Sequence, residues 1–300
     1  MSKYIPDVLS RRWVIVSSQR LERPDDNLKT KKKNLCVFCP GNESYTPSEV
    51  LRIGKGEKDK PGWQVRVVPN KYPITDIHEV IIHSPHDDKD IEHLAVNQVE
   101  HIFHAYRERY NYYRKRGQVF IFCNHGEHSG ASLHHPHSQL VVIPSQINLD
   151  MLTREPLNNV ITDNSFFYVY CPDFSQWPYE VWIAPKIEGK VFGDITDEEI
   201  TDLSGIMQKT IHRLKKIFES HTFNRNPFGY NYYLYPKENW YLRIIPRFVH
   251  RAGFELGTGL SVNIIDPMLA SRDMRGEEDQ INKLLRKLEK KVSGRGKKST

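Results

Sequence analysis

Between positions 124 and 139 the chain reads Asn124-His-Gly-Glu-His-Ser-Gly-Ala-Ser-Leu-His-His-Pro-His-Ser-Gln139, then runs into the apolar stretch Leu140-Val-Val-Ile-Pro144. Five histidines among small residues suit a reaction centre better than a core. The β-branched run predicts a strand, and its period of two puts His135, His137 and Gln139 on one face, with Pro136 and Ser138 on the other. Pro136 has no N–H to give a ladder, so this stretch is expected at a sheet edge or at the mouth of a site. Upstream, Gly130 and Ser132 predict a nest-like loop whose amides and hydroxyl can approach anionic oxygens.

A second group carries metal chemistry. Cys36 and Cys39 form a Cys-x-x-Cys pair, and Pro40-Gly41 behind it argues against the helix that a redox pair opens. With His135 they offer three ligands of a tetrahedral zinc site. Cys123 and Cys171 read as packing residues.

A repeat organises the elements that must position these groups. Glu79-Val-Ile-Ile-His-Ser-Pro85 is echoed by Glu180-Val-Trp-Ile-Ala-Pro185, and Leu140-Val-Val-Ile-Pro144 by Leu242-Arg-Ile-Ile-Pro246, at offsets of 101 and 102 residues. Helices are predicted over Asp90 to Lys115 and Thr196 to Ser220. In the second, Thr196 and Glu199 make a capping box, and Ile200, Leu203, Met207, Leu214 and Phe218 share one face. The expected fold is α+β, with two tandem halves of mainly antiparallel sheet, each under a covering helix. The expected division is 1–150 for the catalytic half with its metal site, 151–275 for a degenerate half, and 276–300 for a basic helix and tail. By the offset His137 maps to Asn239 and Gln139 to Tyr241, so the second half has lost the catalytic set.

Composition bounds the class. At 300 residues and a net charge of +6 the chain can bury a large core and favours anionic ligands. Much of that charge lies in Lys31 to Lys33 and after Asn282, runs that read as solvated and not as nucleic-acid readers. No apolar run approaches the ~18 residues of a membrane span, and the start Met-Ser-Lys-Tyr has no signal-peptide core, so a cytoplasmic enzyme is expected.

The His135-Pro-His137-Ser-Gln139 strand after an Asn-x-Gly…Ser loop resembles the galactose-1-phosphate uridylyltransferase branch of the histidine triad superfamily. Further matches are Arg12-Trp-Val-Ile-Val16, Gln19-Arg-Leu-Glu-Arg-Pro24, Cys36-Val-Phe-Cys-Pro-Gly-Asn-Glu43, Val65-Arg-Val-Val-Pro-Asn-Lys-Tyr-Pro73, His78-Glu-Val-Ile-Ile82, Trp240-Tyr-Leu-Arg-Ile-Ile-Pro-Arg247 and Gly253-Phe-Glu-Leu-Gly-Thr-Gly259. Together they cover roughly residues 4 to 275.

The resemblance implies a nucleotidyltransferase that moves a nucleoside monophosphate, UMP first, between a nucleotide sugar and a hexose 1-phosphate. His137 is then the nucleophile that forms a nucleotidyl-histidine, oriented if its other nitrogen donates to a backbone carbonyl. Gln139 donates to the phosphoryl oxygens, and as an amide it cannot be a general acid or base, which leans toward transfer over hydrolysis. Arg20, Arg23, Asn124 and Ser132 match phosphate-contacting positions, Asn70 and Arg66 the nucleoside side, and Glu255 a carboxylate against sugar hydroxyls. The fourth zinc ligand falls at Ser84-Pro85-His86-Asp87, where His86 is favoured over Asp87, with His83 outside. A second metal site is not supported, because the late strand reads Tyr241-Leu-Arg243. A homodimer is implied by the family; membrane and nucleic acid are not. Alternatives are an adenylyl-transferring sugar phosphorylase, a nucleotide hydrolase, or a nucleotide-binding module without turnover.

Overall fold

The computed structural model describes residues 2–7, 12–18, 20, 35–149, 152, 154, 156–220 and 227–277. A short hairpin of β1 (Lys3–Pro6) and β2 (Trp13–Val16) stands apart as a two-stranded sheet. The first half then runs β3 (Leu51–Gly54), β4 (Trp63–Pro69), β5 (His78–Ile82), α1 (Val96–Tyr113), β6 (Gln118–His125) and β7 (His137–Ile143). The second runs β8 (Val160–Asp163), β9 (Phe167–Tyr170), β10 (Val181–Pro185), α2 (Asp197–Ser220), β11 (Tyr230–Leu234) and β12 (Leu242–Pro246), followed by α3 (Gly253–Thr258) and α4 (Pro267–Arg275).

The halves join into one ten-stranded antiparallel sheet in the order β3-β4-β5-β7-β6-β11-β12-β10-β9-β8. That order is a palindrome in the repeat: β6 answers β11, β7 answers β12 and β5 answers β10. The α+β expectation of two tandem halves therefore holds.

The expected helices form with shifted starts. The first begins at Val96, because Leu94 and Ala95 are extended and only a 3-10 turn, Ile91–His93, precedes it. The second keeps its capping box, with Thr196 N–H donating to Glu199 Oε2 at 2.8 Å and Glu199 N–H donating to Thr196 Oγ1 at 3.2 Å.

Both helices cover one face of the sheet. Ile81, Ile121, Leu140 and Val142 pack there with Val99, Ile102, Phe103, Leu203 and Met207 in one core. Glu79 ties α1 to the sheet, accepting from Arg109 Nε and Nη2 at 2.9 and 2.7 Å and from Tyr113 Oη at 2.7 Å. The opposite face of β5 and β7 belongs to a small cluster of Phe38, Trp63, Val68, Val80 and Ile82. His137 pairs with Ile82 and Gln139 with Val80, so both side chains stand on this helix-free face. Strand β7 is central, not an edge; Pro136 sits one residue ahead of it, where its missing N–H costs nothing and its carbonyl accepts His83 N–H at 3.1 Å.

In the second half the positions that the offset aligns with His137 and Gln139 have different surroundings. Asn239, opposite number of His137, has φ +58° and accepts Gly189 N–H through Oδ1 at 2.8 Å, so it lies in a turn ahead of β12. Tyr241, opposite number of Gln139, stacks on Trp182 with ring centroids 4.0 Å apart. Residues 278–300 and Lys31 to Lys33 lie outside the described residues.

Candidate active site and metal centre

His137 opens β7 and is 7% exposed. Its Nδ1 lies 2.8 Å from the carbonyl oxygen of His135. A carbonyl only accepts, so Nδ1 carries the proton and the lone pair of the neutral ring sits on Nε2. Phe38, from between the two cysteines, meets this ring edge-on at 5.3 Å and that of His135 at 6.1 Å. Its role was missed from sequence, although its place in Cys36-Val-Phe-Cys39 was the available signal.

Two cavities meet at His137. The smaller, about 240 Å³, is walled by Phe38, Val68 and Val80, with Asn70, Lys71, Ser132 and Gln139 among its polar groups. The larger, about 640 Å³, carries Asn124, His134, Lys215 and Asp90. Asn124 is held by a residue the sequence reading did not single out: Asn231 of β11, its register partner, donates to Asn124 Oδ1 at 2.8 Å and to the Ser129 carbonyl at 2.9 Å. Gly126 makes the tight approach here, since at φ +86° a Cβ would meet the Gly229 backbone at 3.1 Å.

The remaining expected residues fall in three places. Arg20 Nη1 donates to the Tyr72 carbonyl at 3.2 Å, on the loop that carries Asn70. Arg23 lies outside the described residues. Arg66 departs from expectation: it is 1% exposed, donates to Glu49, Asp59 and Thr46 within 2.9 Å, and lines neither cavity. An arginine in a strand buried on this face needs carboxylates, and the 43–59 segment supplies them. Burial pushes the Asp59 carboxyl up, yet hydrogen bonds from Ser48, Glu49 N–H and Arg66 outweigh it and bring it down to about 2. Glu255 is also elsewhere: it caps α3 by accepting Ala252 N–H at 3.0 Å and lines neither cavity.

Cys36, Cys39 and His135 come together as a group able to hold a metal ion. His135 Nε2–H donates to the Ser84 carbonyl at 2.8 Å, which leaves the Nδ1 lone pair facing the two sulfurs at 3.4 and 3.6 Å. Burial pushes the His135 imidazole below its ordinary range, favouring the neutral ligand form. Burial, then the neighbouring Cys36, push the Cys39 thiol up to about 12, so metal entry must release protons.

For the fourth position the sequence left His86 and Asp87 open, with His86 favoured, and the structure places the two differently about Cys39. Ser84 Oγ accepts His86 N–H at 3.1 Å, making a turn that leaves His86 exposed and brings Asp87 Oδ2 to 3.6 Å from Cys39 Sγ. Bonds of about 2.3 Å to sulfur and about 2.0 Å to nitrogen or oxygen set tetrahedral ligands roughly 3.5 Å apart. The spacings of His135 Nδ1 from the two sulfurs fit that figure, so Cys36, Cys39 and His135 fit a metal, and Asp87 approaches the group through Cys39.

The family model for the N-terminal domain of galactose-1-phosphate uridyl transferase matches residues 73–143, which span β5 to β7. The chain is 26% identical to an ADP-glucose phosphorylase from Arabidopsis thaliana over 90% of its length and 91% of that protein. It is 22% identical to a galactose-1-phosphate uridylyltransferase from Thermotoga maritima, covering 91% of this chain and 98% of the other. In fold, it superposes on the crystal structure of the Arabidopsis thaliana ADP-glucose phosphorylase with bound ADP-glucose, with TM-score 0.69 at 24% identity over 92% and 99% of the two chains. It superposes on a uridylyltransferase structure with TM-score 0.72 at 22% identity over 92% and 98%. The matched domain holds the strand that carries His137, and the likeness to galactose-1-phosphate uridylyltransferases and to the ADP-glucose phosphorylase runs through both halves of the chain.

Proposed function

We propose that this protein transfers a nucleoside monophosphate from a nucleotide sugar to a phosphate acceptor through a nucleotidyl-His137 intermediate. The observation that supports this most is His137 at the junction of two cavities, its Nδ1 proton given to the His135 carbonyl. The Nε2 lone pair attacks the α-phosphorus; an N–P bond forms, and the P–O bond to the leaving phosphate breaks with its electrons on that oxygen. In the second step an acceptor phosphate oxygen attacks the same phosphorus, and the N–P electrons return to Nε2. No general base is required, in keeping with an amide at position 139. The apolar walls of the smaller cavity suit a nucleoside, and Gln139 and Ser132 stand beside the transferred phosphorus as donors. Asn124, His134 and Lys215 face the other phosphate. Zinc at Cys36, Cys39, His135 and Asp87 would supply a rigid cross-link between the 36–39 turn and the nucleophile strand.

Within this chemistry the first reading is uridylyl transfer between UDP-hexose and a hexose 1-phosphate. The second is adenylyl transfer from ADP-glucose to inorganic phosphate, favoured by the likeness to the Arabidopsis phosphorylase over nine-tenths of both chains. Glu255, outside both cavities, gives the first no added support within a single chain. Parallel assays of UDP-glucose and ADP-glucose, each with galactose 1-phosphate, phosphate or water, decide between them. Transfer is expected to exceed hydrolysis at least about tenfold, a barrier difference of about 1.4 kcal/mol. Nucleoside monophosphate as the dominant product would refute the transferase reading.

A further inference from the structure

One buried imidazole outside the reaction set joins the nucleoside loop to the catalytic amide. His78 opens β5, is 4% exposed and lines neither cavity. The backbone N–H of Ile74 points at its Nδ1 from 2.9 Å, and a backbone amide can only donate. Nδ1 is therefore the acceptor, and the neutral ring carries its proton on Nε2. That nitrogen lies 3.0 Å from Gln139 Oε1. The oxygen of Gln139 is then taken by His78, and its NH2 end is the one presented to the cavity.

The same proton decides Asn70. Its Nδ2 lies 3.2 Å from His78 Nε2, and its Oδ1 already accepts Tyr72 N–H at 2.8 Å. With Nε2 protonated this contact sets two donors side by side, so the Asn70 NH2 has its better acceptor on a ligand in the smaller cavity. We propose that His78 is a positioning residue: held in one tautomer by Ile74, it aims the Gln139 amide at the transferred phosphoryl group and ties that aim to the Asn70–Ile74 loop. This rests on the nucleotidyl-transfer reading, and it assigns His78 no contact with substrate.

Two substitutions divide the role, because an Asn oxygen overlays histidine Nδ1 and a Gln nitrogen overlays Nε2. His78→Asn keeps an acceptor for Ile74 and loses the donor to Gln139; it is expected to lower kcat by about tenfold to a hundredfold with KM little changed. His78→Gln keeps the donor and loses the acceptor; kcat is expected within about threefold of wild type, with KM raised. The ¹⁵N shifts of the His78 ring in the wild-type protein at neutral pH report the tautomer directly, whether or not either variant folds, and are expected to show Nδ1 unprotonated and Nε2 protonated. A protonated Nδ1, or His78→Asn turning over at the wild-type kcat, overturns the proposal. Failure of the wild-type protein to form any nucleotidyl adduct would instead overturn the transfer reading, while the tautomer result would still stand or fall by itself.

Discussion

His135 holds His137 from two residues away: its carbonyl oxygen lies 2.8 Å from His137 Nδ1, while its own Nδ1 faces the two cysteine sulfurs at 3.4 and 3.6 Å. The Cys36–Cys39–His135 cluster and His137 are thus linked through one residue, by side chain on one side and backbone on the other.

Metal content should follow that cluster. Cys36→Ser is expected to lower bound zinc, thermal stability and kcat together, because ligand binding and folding share free energy. Asp87→Ala is expected to lower zinc content, and His86→Ala to leave it near one per chain. Elemental analysis of the three purified variants checks this. Loss of zinc in His86→Ala with retention in Asp87→Ala would restore the ligand set expected from sequence.

Removing the anchor of α1 should be costly. Glu79→Ala strands a buried Arg109 and is expected to destabilise by about 3–5 kcal/mol in urea unfolding. A loss below about 1 kcal/mol would mean that Arg109 finds water or another acceptor.

Mild acid should act through His83, which is buried against the sheet with Tyr106 Oη 3.3 Å from its Nε2. Burial, then His137, push its imidazole down to about 3 from the ordinary 6.5. The unfolded chain takes up this proton below about pH 6.5 and the folded one does not. This contribution to stability is whole above 6.5 and is lost as pH falls toward 3, by up to about 1.4 kcal/mol per pH unit for one proton. His83→Gln is expected to flatten that part of the melting-temperature profile between pH 7 and 5. An unchanged slope would assign the acid sensitivity to other groups.

Architecture was legible because a repeat in sequence is a repeat in pairing. The offset that aligned Glu79 with Glu180 and Pro144 with Pro246 reappears as the mirrored strand order about β6 and β11. The alternation that put His137 and Gln139 on one face survived because register preserves parity. Tertiary partners were not legible. Arg66 reads as a cation for a ligand until Glu49 and Asp59 arrive from another segment, and Asn231 matters only through its pairing with Asn124. That Asp87 and not His86 approaches Cys39 goes with a turn closed by one Ser84 hydroxyl, a local bond that motif spacing does not carry.

The most direct test is the covalent adduct. Intact mass of the protein is measured after incubation with UDP-glucose or ADP-glucose in the absence of acceptor, alongside His137→Gly. A gain of one nucleoside monophosphate, mapped to His137 and absent from the variant, is the expected result. An adduct that persists in His137→Gly, or that maps to His134, would contradict the assignment of the nucleophile.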